Sequence, residues 1–175
     1  GSTGDVVLLG MTTEELQPTY YEFADHEMDL GGSGSCLRSP SCCLGPARCE
    51  YACYDTLEMC YDITNEFQDE LHRPMWPYKS KIKMSGCAND CVAAAARADI
   101  SVIGTWRDSL IIDQDEVKKY AAEGMPIKTR VIDACPTKCL SYDKEAGEIT
   151  CDNENCTLCM NCINLMPKAI KQGKE

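Results

Sequence analysis

The sequence lacks features that would point to a membrane protein, a nucleic-acid-binding protein or a complete chain. No run of about eighteen apolar residues occurs, so no membrane-spanning helix is predicted. Basic residues are scarce: 17 Lys and Arg against 28 Asp and Glu give a net charge of −11, which argues against a nucleic-acid partner because phosphates need cations. The chain does not begin with methionine, and residues 1–4 lead directly into apolar residues 6–9, so we expect a cut through a longer fold.

Cysteine, in contrast, is abundant, with 14 among 175 residues. Two classes of protein are that rich in cysteine: disulfide-stapled secreted domains and metal proteins. The chain is long enough to build a hydrophobic core, which disulfide scaffolds usually lack. Its cysteines also cluster at short intervals, where direct neighbours bridge poorly. The pattern therefore favours a metal protein over the disulfide scaffold.

The strongest motif consists of three cysteines at steps of three residues: Cys156, Cys159 and Cys162. One loop can present three such thiolates to a [4Fe–4S] cluster, and a distant residue must supply the fourth. In ferredoxin runs the fourth cysteine precedes a proline; that slot is Met166 here, whereas Cys135 is followed by a proline. We predict a two-cluster ferredoxin plan with one cluster deleted, in which Cys135 completes the set. The alternative, zinc, usually takes pairs of C-x2-C instead.

A second set pairs Cys43-x5-Cys49 with Cys87-x3-Cys91. Helices predicted over residues 50–71 and 93–98 follow the two pairs. We therefore expect each pair at the start of a helix, where free N–H groups stabilise thiolates. Each spacing alone is a weak signal, but together, beside another iron–sulfur motif, they predict a second cluster. Because Cys42 adjoins Cys43, an x6 spacing to Cys49 is also formally possible.

Residues 78–84 alternate in the manner of a half-buried strand, with three basic residues on one face: Lys79, Lys81 and Lys83. Lysines on one strand face are typical of an exposed sheet edge, where they oppose aggregation. They also suit an anion site. The strand leads directly to Cys87, and we favour the anion site for that reason.

The remaining segments predict a mixed architecture. Helices are expected at 12–24 and 116–122, strands at 100–103 and 110–112, a hairpin from 140–142 and 148–151, and a glycine-rich turn at 31–35. The fold class is therefore α+β. After about residue 130 the predicted elements change to short strands and tight turns around cysteines. We therefore place a domain boundary near 124–130, between residues 1–127 and 128–175.

At residues 30–55 and 69–108 the sequence closely resembles the alpha subunits of dissimilatory sulfite reductase, within the sirohaem-dependent nitrite and sulfite reductase family. The segment from Cys135 to Pro167 is similar to the ferredoxin-like [4Fe–4S] insert of that family. The resemblance covers essentially the whole chain. It implies a fragment of a sirohaem-binding fold, residues 1–127, followed by the ferredoxin-like domain, residues 128–175.

The resemblance also implies site residues. One [4Fe–4S] cluster would be held by Cys43, Cys49, Cys87 and Cys91, and Cys91 would bridge to the sirohaem iron; the other would be held by Cys135, Cys156, Cys159 and Cys162. Five residues would surround sirohaem and the sulfite pocket: Arg38, Lys79, Lys81, Lys83 and Arg97. Cations suit both groups, because sirohaem carries eight carboxylates and sulfite is a dianion near neutral pH. No ligand role is assigned to the other cysteines (Cys36, Cys42, Cys53, Cys60, Cys139 and Cys151), and His72, Trp76 and Trp106 are expected to be structural.

The implied function is the six-electron reduction of sulfite towards sulfide in anaerobic sulfur respiration, with two [4Fe–4S] clusters and sirohaem as cofactors. The implied enzyme is a cytoplasmic α2β2 assembly with a beta subunit, an electron donor and a small sulfur-carrier subunit, and the fragment alone should be inactive. Two alternatives stay open. One is a reverse, sulfur-oxidising enzyme or an assimilatory sulfite or nitrite reductase. The other is an electron-transfer or structural subunit whose own tetrapyrrole site is not catalytic.

Overall fold

The computed structural model describes residues 8–26, 28, 35–72 and 76–173. Their contacts divide the chain into two compact units. The first unit contains the chain up to Gly86 together with Asp90–Ile103, and the second contains Cys87–Asn89 together with the chain from Gly104 onward. No helix within the described ranges is long and apolar enough to cross a membrane.

The first unit is built on three short parallel strands: β1 (Ser41–Cys42), β2 (Ile82–Ser85) and β3 (Ile100–Ile103). β2 is the central strand. Parallel strands need crossover connections, and helices supply them here. The helices of this unit are α1 (Thr13–Asp25), α2 (Thr56–Glu66), α3 (Gln68–His72) and α4 (Ala94–Arg97).

The core of the first unit lies around the central strand. Met84 on β2, Leu37 before β1 and Ala94 at the start of α4 are almost completely buried. Thr56, the first residue of α2, is also fully buried, and its hydroxyl donates to the carbonyl of Cys43 at 2.8 Å. The start of α2 is therefore joined to the segment that follows β1.

The second unit contains two antiparallel strand pairs: β4 (Asp108–Ile112) with β7 (Ile170–Gly173), and β5 (Leu140–Asp143) with β6 (Glu148–Cys151). Its helices are α5 (Gln114–Ala122) and α6 (Asn161–Leu165), with a π-helical turn at Lys128–Ile132. The core is apolar and consists mainly of Val117, Ile127, Val131, Ile149, Ile163, Met166 and Ile170.

Most predicted elements are confirmed. The helix expected at 12–24 is α1, which starts after Thr12 because Thr12 and Glu15 form a reciprocal capping box. α5 ends before Gly124, whose φ of +88° suits a residue without a side chain. The hairpin of β5 and β6 forms with Leu140 opposite Cys151. The predicted glycine-rich turn at 31–35 lies, apart from Ser35, outside the described residues.

Two predicted elements are shorter than expected. The helix expected over 50–71 begins only at Thr56, because the Asp55 carboxylate accepts from the N–H groups of residues 57 and 58 and caps it there; it continues, with a break, as α3. The strand expected over 78–84 spans only Ile82–Ser85. Of the three lysines only Lys83 lies on it, and because this strand is central, Lys83 is not on a sheet edge.

The two units also differ from the predicted division at 127/128. That boundary lies inside the second unit, because β4 pairs with β7 and Gln114 of α5 bonds to the backbone of Ile149 on β6. The contacts instead divide the chain near residue 103. The assignment of a sulfite-reductase part and a ferredoxin-like part stays a prediction.

Candidate metal centres

A cavity in the second unit brings the four predicted ferredoxin-type ligands together. Its empty volume is about 360 Å³. Its lining includes all four predicted cysteines and also Cys139. The four are Cys135, Cys156, Cys159 and Cys162. Spacing alone had predicted that a distant cysteine would join the loop of three, and Cys135 does lie at the same cavity.

The loop of three cysteines has an unusual backbone. Leu158 and Met160, the two neighbours of Cys159, have φ angles of +55° and +65°. Left-handed conformations cost a residue with a side chain about 1–2 kcal/mol and concentrate at functional sites. Met160 is nevertheless 99% buried, so the strained loop is held firmly in the core. This backbone path allows cysteines three residues apart to line one cavity.

The chemistry of the cavity suits a soft metal centre. No histidine or carboxylate lines it, and the donor groups are thiols among mostly apolar neighbours such as Trp106, Leu110 and Val131. Thiolate-only donor sets select zinc, copper(I) or iron–sulfur centres. The residues present therefore fit a [4Fe–4S] cluster, in which four thiolates surround a cuboidal core.

Burial and hydrogen bonds give these thiols different pKa values. Burial raises the pKa of Cys162 to about 12. Burial also raises the pKa of Cys135, but hydrogen bonds from Cys139 and Thr137 outweigh it and bring the value down to about 7. Cys139 Sγ lies 3.5 Å from Cys135 Sγ. A metal bound at these sites must displace the protons, so binding and deprotonation are coupled.

Cys139 and Cys151 are closer to the site than expected for thiols without a ligand role. Sγ atoms of Cys139, Cys151 and Cys156 all lie within 4.8 Å of one another. Thiolates around one tetrahedral ion would be about 3.8 Å apart, given metal–sulfur bonds of about 2.3 Å. The three thiols are thus packed as for a single ion, whereas the four predicted ligands spread around the larger cavity. Only Cys156 belongs to both sets.

In the first unit, hydrogen bonds fix Cys43 beside the end of β2. The N–H of Gly86 donates to Cys43 Sγ at 3.1 Å, and the N–H of Cys43 donates to the carbonyl of Met84 at 3.0 Å. A side chain at Gly86 would meet Ala52 Cβ at 3.0 Å and Cys43 Sγ at 3.4 Å. Cys43 therefore lies beside the residue that immediately precedes Cys87 in the sequence.

The other members of this set do not lie at helix starts as expected. Cys49 is half-buried in a turn, six residues before Asp55 caps α2, and its N–H donates to the carbonyl of Gly45 at 3.0 Å. Cys87 is buried and belongs to the second unit, and Cys91 is exposed before the short α4. Their joint binding of one cluster stays a prediction.

The predicted cationic residues differ in exposure. Lys79 is exposed before β2, Lys81 is half-buried, and Arg97 is exposed on α4. Lys83 is only 4% exposed, and its Nζ donates to the carbonyl of Val92 at 3.1 Å. Arg38 is half-buried, and its N–H donates to the carbonyl of Ser80.

Sequence reasoning missed the place of Trp106. We expected a structural residue, but its side chain lines the cysteine cavity. It is 6% exposed, and its indole Nε1 has no hydrogen-bond partner in the described part of the chain. Its place depends on the pairing of β4, two residues later, which no local pattern indicates.

Comparisons with known proteins agree with this geometry. Residues 33–112 match the family described as the nitrite and sulphite reductase 4Fe-4S domain. The chain is 48% identical over 191 residues to the alpha subunit of dissimilatory-type sulfite reductase from Nitratidesulfovibrio vulgaris. It is 42% identical over 177 residues to the corresponding subunit from Allochromatium vinosum. The alignments cover 100% of the chain and 43% and 42% of these relatives.

The fold agrees as well. A crystal structure of dissimilatory sulfite reductase I superposes with a TM-score of 0.89 at 50% identity, covering 100% of this chain and 43% of that one. The predicted α+β fold of the sulfite reductase type is therefore confirmed. The chain spans less than half the length of the relatives it matches. Within that span, both sequence and fold assign it to the family of dissimilatory-type sulfite reductase alpha subunits.

Proposed function

We propose that the protein works as the alpha subunit of a dissimilatory sulfite reductase, an oxidoreductase that reduces sulfite to sulfide. Six electrons and six protons convert hydrogensulfite into hydrosulfide and three waters. The reaction therefore requires carriers of single electrons, sources of protons and cations that bind an anion. The observation that carries the proposal is the whole-length similarity to such alpha subunits.

We place one [4Fe–4S] cluster in the cavity of the second unit, held by Cys135, Cys156, Cys159 and Cys162. Such a cluster supplies one-electron transfer at a potential that its surroundings determine. Cys159 is exposed, so an electron donor can approach that edge. Trp106 and Leu110, both buried, also line the cavity and keep water away, which favours a defined potential.

We place a second [4Fe–4S] cluster and sirohaem at the motif formed by Cys43, Cys49, Cys87 and Cys91. Sirohaem would supply the iron at which sulfite is reduced. The N–H of Gly86 already donates to Cys43 Sγ, as it would to a ligand thiolate. Cys91 is exposed, so its thiolate has room for the predicted bridge to a second group.

The basic residues then divide into two roles. Exposed Lys79 and Arg97 can reach an anion in solution and would neutralise sulfite and sirohaem carboxylates. Lys83, in contrast, holds the carbonyl of Val92, the residue after Cys91. Its ammonium group therefore positions the loop of the predicted bridging cysteine rather than meeting the substrate directly.

The relatives are named alpha subunits, which supports the presence of a partner subunit. An alpha subunit has a beta counterpart, and we propose a cytoplasmic α2β2 enzyme served by an electron donor and a small sulfur-carrier subunit. We favour the reductive direction. The alternative role, electron transfer without a catalytic tetrapyrrole, predicts iron in the chain but no sirohaem signal that depends on Cys91.

Anaerobic reconstitution with iron, sulfide and sirohaem tests the proposal. Wild type should hold about eight irons per chain, and Cys135→Ser should lose about four of them. Cys91→Ser should alter the sirohaem absorption band, while Cys36→Ala, a fully buried thiol outside both sets, should change neither readout. Four irons that are insensitive to Cys91→Ser, without bound tetrapyrrole, would contradict the second site and support the electron-transfer role.

A further inference from the structure

Trp106 carries a polar atom that the protein itself does not satisfy. The side chain is 6% exposed, and Nε1 has no hydrogen-bond partner among the described residues. An indole N–H can only donate, and leaving a buried donor unpaired is unfavourable. Such a group in a native fold calls for an acceptor from outside the protein, which is a water, an ion or a bound ligand.

The acceptor must come from the cysteine cavity, because Trp106 is part of its wall. The same wall contains the four proposed cluster ligands; its other polar side chains are those of Thr137, Thr157 and Asn161, and none of them accepts from Nε1. A [4Fe–4S] cluster with its thiolates would fill this space with sulfur atoms that carry negative charge and accept N–H hydrogen bonds. We propose that Trp106 Nε1–H donates to a sulfur of the cluster or of a ligand thiolate and thereby raises the reduction potential of this centre.

The position of Trp106 is fixed by the strand that follows it. Leu110 on β4 also lines the cavity, and its N–H donates to the side chain of Asn153 at 3.0 Å. Asn153 donates in turn to the carbonyl of Cys151 at 3.3 Å and lies three residues before Cys156. The segment carrying Trp106 is thus joined to the start of the cysteine loop, so the indole and the thiols keep a constant geometry.

The effect on the potential follows from charge. Reduction adds an electron to the cluster, and a donor N–H stabilises the more negative state more strongly. Removing the N–H should therefore lower the potential. This inference rests on the proposed function, since it assumes that the cavity binds the cluster. Trp106 would act as a residue that tunes the cluster, with no ligand role.

The test compares reduction potentials, measured by EPR-monitored redox titration of the reconstituted chain. In Trp106→Phe the ratio of reduced to oxidised cluster at a given poise should fall three- to tenfold, where tenfold corresponds to 59 mV. Trp76→Phe, the same change at a half-buried tryptophan of the first unit, should leave it unchanged. Replacement of Trp106 by a benzothiophene analogue removes the N–H and keeps the shape, so it should reproduce the shift even if Trp106→Phe folds poorly.

A second readout separates a hydrogen bond from a packing effect. Pulsed EPR of the reduced cluster should show an exchangeable proton coupling that disappears with the benzothiophene analogue. A cluster with normal iron content and unchanged potential in that variant would overturn the inference while leaving the proposed function intact. Failure of the wild-type cavity to bind iron at all would instead refute the proposed function.

Discussion

Replacing Gly45 by alanine should destabilise the loop between Cys43 and Cys49, and it should cost more than the same change at Gly124. Gly45 is buried between Cys43 and Cys49 and has a φ of +54°. A Cβ there would lie 2.5 Å from Thr56 Oγ1 and 3.3 Å from Thr56 N. Its carbonyl accepts the N–H of Cys49 at 3.0 Å, so the residue shapes the loop between the two cysteines.

Two costs add at this position. Alanine in a left-handed conformation costs about 1–2 kcal/mol. The Thr56 hydroxyl must also move away from the new methyl group, which breaks its 2.8 Å bond to the Cys43 carbonyl and costs about 1–3 kcal/mol more. The free energy of unfolding should therefore fall by about 2–5 kcal/mol. Gly124→Ala, with a φ of +88° and open space around its Cβ, should cost only the conformational part, about 1–2 kcal/mol.

Urea unfolding followed by circular dichroism, under anaerobic reducing conditions, measures these losses. A Thr56→Ala background provides the decisive comparison, because it removes the atom with which the new Cβ collides. In that background the additional cost of Gly45→Ala should shrink to the conformational part, a coupling of about 1–3 kcal/mol. If Gly45→Ala and Gly124→Ala cost the same, or if the Thr56→Ala background changes nothing, the steric argument is refuted.

Three further changes test single contacts of the first unit. Asp90→Ala removes a carboxylate that accepts from the first two N–H groups of α4 at 2.7 and 2.9 Å. Urea unfolding should therefore show a free energy of unfolding that is lower by about 1–2 kcal/mol, and Asp90→Asn should lose less. Lys83→Met should destabilise the protein by about 1–3 kcal/mol because a buried carbonyl loses its donor, whereas exposed Lys79→Met should stay within about 0.5 kcal/mol; equal losses would contradict this. Hydrogen bonds from Thr12 lower the pKa of Glu15, so this carboxylate stabilises α1 above its unfolded pKa, and the contribution disappears as the pH falls through the folded pKa. NMR titration should show Glu15 moving back towards its ordinary pKa in Thr12→Ala.

The ferredoxin-type site was the most predictable part of the molecule. Three of the four predicted thiols lie in one loop, so their spacing alone brings them to one cavity, and Cys135, predicted as the fourth from the proline after it, lines the same cavity. The hairpin between them was equally readable, because alternation and a glycine turn are local signals. The packing of Cys139 against Cys135 was not predictable, since a cysteine that belongs to no motif gives no indication of its neighbours.

The surroundings of Lys79 and Lys83 were, in contrast, poorly predictable from the sequence. Alternation predicted Lys79 and Lys83 on one face, but burial depends on what covers that face, which periodicity does not encode. β2 became the central strand of its sheet, and Lys83 was buried against the Val92 carbonyl while Lys79 stayed outside the strand. Helix α2 illustrates the same limit: the helix is present, but Leu57 and Tyr61 of its predicted apolar face are exposed, and the Asp55 cap decided where it begins.

The place of Cys43 depends on strand register rather than on local spacing. Parallel pairing sets Cys42 opposite Met84, so the strands β1 and β2 end at the same edge of the sheet. Cys43 and Gly86 leave that edge together, and the N–H of Gly86 reaches Cys43 Sγ at 3.1 Å. A shift of register by one residue would turn the side chains of one strand to the opposite face and separate these two groups. Sequence spacing alone had little power there, because the place of Cys43 beside Gly86 depends on the pairing of two short parallel strands that lie about forty residues apart in the sequence.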